Sequence, residues 1–144
     1  RMVDVIQRGE PALMLAHWTG VYWNGQELGF KIFQEVVRRI GARFDHLIWM
    51  KLSEVARYWA AKELTRLERD GAAISFRAPF ACPDFTVRFE AGTNGTPQLR
   101  HNQDITRLKE VSGSLKLTPG TWCRDGKVMT VCFGLPKGTS RLEM

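Results

Sequence analysis

His17 is the residue best placed for chemistry. It follows directly on the apolar run Ala12-Leu13-Met14-Leu15-Ala16. A continuous run of that kind reads as a strand covered on both faces, as in a parallel sheet. Ligands of such sheets bind at the carboxyl ends of the strands. A histidine in that position points into the mouth where active sites form, and its unperturbed pKa of ~6.5 suits proton transfer. The alternative is a structural ring bonded to a nearby backbone group. The loop that follows, Trp18 to Gly25, holds Trp18, Tyr22 and Trp23. Their flat, apolar faces with polar tips suit sugar rings as stacking platforms. Equally, the three rings would serve to plug the end of a barrel.

Other chemistry is thinly represented. Asp45-His46 and Arg100-His101-Asn102 fall in expected loops and read as surface residues. Asn94-Gly95-Thr96 fits a glycosylation acceptor, but Asn-Gly is first a turn signal. There is no Gly-rich phosphate loop and no Ser, Cys or Thr in a nucleophile motif. Cys82, Cys123 and Cys132 make an odd count with no zinc spacing, so they read as small buried apolar side chains. No metal ligands and no cofactor-binding residues are identified.

The elements that must position His17 belong to the first half of the chain. Val3, Val5 and Ile6 resemble the last turns of a helix that stops at Gly9. Asn24 caps an expected helix over roughly 26–40, with Glu27 three residues on. Leu28, Ile32, Phe33, Val36, Val37 and Ile40 form its apolar stripe. Leu47-Ile48-Trp49-Met50 is a second short buried strand. Ser53 caps the next helix, with Leu52, Val55, Ala56, Trp59, Leu64 and Leu67 as its inner face and Gly71 as its stop. This order predicts two parallel strands, 12–16 and 47–50, joined by a right-handed helical crossover. Two such strands leave open edges, so an upstream part of the same protein or another chain is expected to cover them.

Residues 72–144 change style. Ile74, Phe76, Ala78 and Phe80 alternate with small or polar residues, as do Phe85, Val87 and Phe89. Asn94-Gly95, Pro119-Gly120 and Asp125-Gly126 mark turns. A tight turn at Asp125-Gly126 sets Cys123 opposite Val128 and leaves Cys132 roughly 13 Å further along its strand. No disulfide is expected at that separation. The dense Pro and Phe segment 78–85 reads as a rigid corner between two strands. The predicted organisation is therefore an α/β part over 1–71 and a small all-β part over 72–144, either a sandwich or an open barrel.

Composition limits the class. The chain has 144 residues, 44% hydrophobic and 25% charged, which excludes disordered, collagen-like and coiled-coil chains. No apolar run approaches the ~18 residues of a membrane helix, so no membrane partner is expected, and no signal peptide is visible. The net charge of +6 is spread along the chain without a basic block, which argues against nucleic acid as a partner. Localisation is left open.

The segment Pro11 to Trp18, the loop, the helix, the strand Leu47–Met50 and Lys51-Leu52-Ser53-Glu54-Val55-Ala56 together resemble the end of a polysaccharide deacetylase-like domain. That resemblance covers roughly residues 1–70. Leu15-Ala16-His17 matches the family's late Leu-x-His motif. The resemblance implies an irregular (β/α) barrel and makes His17 the general acid that protonates the leaving amine. The family's Asp-Asp base and His-x-x-x-His metal pair are absent; the histidines are His17, His46 and His101. It follows that a divalent metal would need residues upstream of this chain, and that the chain alone would not hydrolyse a sugar amide. The competing reading is a non-catalytic carbohydrate-binding or assembly module.

Overall fold

The computed structural model of the chain describes residues 1–92 and 95–144. The expected turn and acceptor at Asn94 fall outside the described residues. The chain divides into two compact units, Arg1–Trp49 and Met50–Met144.

The first unit is helical. It comprises α1 (Met2–Gln7), the short α2 (Trp18–Val21), a 3-10 turn (Trp23–Gly25) and α3 (Leu28–Arg43). The helix α3 lies close to its expected range, but it starts without a side-chain cap, on Glu27. Asn24, the expected cap, instead takes a left-handed conformation inside the 3-10 turn, with φ of 48°. Its apolar stripe is exposed at Leu28, Ile32 and Phe33, half-buried at Val36 and Val37, and buried at Ile40.

Residues 12–16 and 47–50, expected as neighbouring parallel strands, carry no ladder partner among the described residues. Leu13, Leu15, Ile48 and Trp49 are exposed. A strand exists only through bonds to a neighbour, and a run apolar on both faces needs two covering layers. Among the described residues neither is present, and the runs stay outside any sheet. The described residues form no closed barrel.

The second unit opens with α4 (Leu52–Leu64) and continues as β1 (Arg66–Asp70), β2 (Ala73–Ala78), β3 (Cys82–Glu90), β4 (Gln98–His101), β5 (Asp104–Arg107), β6 (Lys109–Glu110), β7 (Thr121–Asp125), β8 (Val128–Leu135) and β9 (Gly138–Glu143). One sheet has the order β1-β2-β9-β4-β5 and the other β3-β8-β7-β6. Every pairing is antiparallel except β6 with β7. Gly71, the expected boundary, is a turn residue of the β1–β2 hairpin, with φ of 58°. The break in contacts falls earlier, at Trp49, because α4 belongs with the sheets.

Alternation in sequence becomes the two faces of each strand. Ile74, Phe76 and Ala78 of β2 point inward, as do Phe85 and Val87 of β3 and Met129, Val131, Phe133 and Leu135 of β8. Phe76, Phe85 and Phe133 meet in edge-to-face contacts, with centroids 6.2, 5.3 and 5.9 Å apart. The segment 79–81, with Pro79, carries the chain from one sheet to the other between β2 and β3; the rest of the corner expected over 78–85 belongs to those strands.

The helix α4 is held by a face that shares only Val55 with the expected one. Val55 and Tyr58 are half-buried and Ala61 fully buried, and the Tyr58 ring lies 6.3 Å from that of Phe85. Leu52, Trp59 and Leu64 are exposed, and Leu67 belongs to β1. Ala61 allows the helix to approach the sheet closely, which the bulky stripe would prevent. Its first turn is capped by the Glu54 carboxylate, which accepts the Lys51 backbone N–H at 2.6 Å, rather than by Ser53.

The β7–β8 hairpin forms with its turn one residue later than expected. Asp125 pairs with Val128, so Gly126 and Lys127 make the loop and Gly126 takes a φ of 58°. A two-residue loop of type II′ has glycine, with positive φ, at its first position. Cys123 therefore faces Thr130, and Cys132 faces Thr121. The two cysteines lie one diagonal apart, about 7–8 Å by ladder spacing. All three cysteines are free and buried.

Candidate functional site

His17 stands at the start of α2, with an extended backbone at φ −92° and ψ 141°. Its carbonyl accepts the N–H groups of Gly20 and Val21 at 2.9 and 3.3 Å, which ties the four-residue helix to the end of the apolar run. The residue is exposed. The aromatic loop is held to α3 by a close backbone approach: a Cβ on Gly29 would run into the Gly20 carbonyl. Only glycine fits there.

That approach brings rings together. Trp18 and Tyr22 lie 5.1 Å apart at 52°, and Tyr22 stacks on Phe30 at 6.5 Å and 13°. Trp18 is 77% exposed and Tyr22 40%, so the pair keeps open aromatic surface. Trp23, 63% exposed, makes no ring contact with them among the described residues. Phe30 was not singled out by sequence, since it falls off the apolar stripe of α3. Its aromatic character two residues after Leu28, beside a Tyr-Trp loop, was the available signal.

The other candidates resolve as structure. His46 Nδ1 lies 3.1 Å from the carboxylate of its neighbour Asp45, and that bond holds the Asp45 carboxyl below its usual range. The His101 ring bonds the Thr139 carbonyl at 3.0 Å, across β4 and β9. Burial pushes the Cys82 and Cys132 thiols up, which makes them poor nucleophiles. Among the described residues no three His, Cys, Asp or Glu side chains are grouped to hold a metal ion. Among the same residues no helix is long and apolar enough to cross a membrane.

What the arrangement offers is an exposed imidazole next to exposed, preorganised aromatic faces. No known protein family, curated protein or solved structure matches this chain.

Proposed function

We propose that the chain supplies an aromatic wall and an acid–base histidine to a carbohydrate-acting protein of polysaccharide deacetylase-like type, and performs no hydrolysis alone. The observation that carries this reading is the juxtaposition of exposed His17 with the open Trp18–Tyr22 pair, Tyr22 being backed by Phe30. Trp18 and Tyr22 take the faces of sugar rings, with Trp23 at the edge of the platform. His17 donates its proton to a leaving amine when a metal and a base are supplied by residues outside this chain. The unpaired runs 12–16 and 47–50 support the same view, because neighbouring strands of an irregular barrel would give them the ladders they lack.

A non-catalytic glycan-binding role has its own support: no described carboxylate is bonded to the His17 ring. The two readings share the binding step. Tryptophan fluorescence and NMR of this chain with an N-acetylglucosamine tetramer should show saturable binding that Trp18→Ala abolishes. Absence of binding at millimolar sugar would overturn both. Acetate release from the tetramer by this chain, with added zinc or manganese, would overturn the claim that it is inactive alone.

A further inference from the structure

The second unit carries an open cleft of about 350 Å³ between α4, β1, β2 and the continuous run 85–89 of β3. Side chains alternate across a strand, so a cleft touching five consecutive residues runs along a strand's edge and not over one face. Among the described residues the strand β3 ends its sheet and is paired by β8 alone. Two hydrogen bonds give the direction of its other side. The Ala91 N–H donates to Lys127 O at 2.9 Å, toward the β7–β8 hairpin. The Glu90 carbonyl of the same peptide unit points the opposite way and accepts from Arg69 Nη2 at 2.8 Å. By the alternation of an antiparallel ladder, the N–H and C=O groups of Arg88 and Thr86 also face away from β8, into the cleft.

The charge around this edge is patterned. Lys62 and Arg88 line the cleft, and Arg69 is fixed there by its bonds to the Gly71 and Glu90 carbonyls. No carboxylate is among the lining residues. Asp84 and Glu90 lie just beyond the two ends of the 85–89 run. An occupant is therefore favoured to carry negative charge at its middle and not at its ends. Unpaired backbone groups in register call for another backbone.

We propose that the free edge of β3 takes up an extended peptide segment with acidic residues at its centre, adding a strand to the second sheet. Backbone bonds to Thr86 and Arg88 set its register, and the acidic side chains meet Arg88 and Lys62.

The test uses the full chain and a synthetic capped hexapeptide, Thr-Val-Glu-Val-Glu-Thr, followed by amide NMR. Shifts and slowed hydrogen exchange are expected at Thr86 and Arg88. The same peptide with lysine for glutamate should bind at least about tenfold more weakly. Thr86→Pro removes one outward N–H without touching the ladder to β8 and should weaken binding roughly tenfold. A peptide N-methylated at its central residues makes the same test without altering the protein, and should lose binding. Arg88→Glu should reverse the preference between the two peptides. No saturable shift at millimolar peptide, or shifts away from β3, would overturn the proposal. So would equal binding of the N-methylated peptide, which would show a charged patch without strand addition.

Discussion

Two side chains show how local surroundings decide chemistry. His17 is exposed, and among the described residues its bonds run through its backbone carbonyl, so its substitution should leave the fold intact. On the proposed hydrolytic role, His17→Ala should lower turnover by about 10²–10⁴, the range for losing a positioned acid–base group. A lowered melting temperature with full turnover per folded molecule would make His17 a packing residue. Glu35 makes a different case. Hydrogen bonds from Arg38 and Arg39 hold its carboxyl at about 2, against an ordinary 4.5. The folded value is the lower one, so the support is complete above the ordinary value and is lost as pH falls toward about 2. Acid titration by circular dichroism should show a loss of helicity in that window, absent in Glu35→Gln and damped by salt. An identical titration of the variant would show that the triad does not hold α3.

At the scale of elements, the three phenylalanines that join β2, β3 and β8 should dominate stability. Phe133→Ala removes the ring common to the two shortest contacts and should cost about 3–5 kcal/mol in urea unfolding. Trp59→Ser on the exposed side of α4 should change stability by only about 0.5 kcal/mol, whereas Ala61→Leu on its buried side should cost about 1–3 kcal/mol. The reverse ranking would restore the helix face expected from sequence. That contrast shows what was legible. Strand alternation around Phe76, Phe85 and Phe133 was readable because one face is buried and period two leaves no ambiguity. The Asp125-Gly126 hairpin was readable to within one residue, the error being which loop position the glycine takes. The inner face of α4 was not, because the helix is apolar on two sides and hydropathy ranks Leu52 and Trp59 above Ala61. Only the closeness of β3 makes alanine the better contact. The aromatic loop was readable by composition, but Phe30 was not, since its role depends on how Gly20 and Gly29 bring two helices together. The runs 12–16 and 47–50 show the opposite limit. Apolar continuity says that a segment favours burial between two layers, not that the layers are there.

Across the whole molecule, burial is unevenly shared. Of the buried hydrophobic residues described, only Ile40 lies in Arg1–Trp49; the rest lie in Met50–Met144. Stability follows apolar area removed from water, so the second unit should unfold cooperatively by itself. Residues 50–144 produced alone should melt in one transition within about 4 °C of the main transition of the full chain, a shift that would correspond to roughly 1 kcal/mol at this size. The first unit should behave otherwise. Its helices are short or expose their apolar stripes, and isolated helices of this length are marginal in water. Hydrogen exchange on the full chain should therefore find strong protection at the amides of β2, β3, β8 and β9. In α3 protection should be weak and confined to the turn around Ile40. Failure of residues 50–144 to fold, or protection in α3 equal to that in β8, would mean that the two units share one cooperative transition. The sheets would then need the helices for stability, although the sheets contain nearly all the buried apolar residues described.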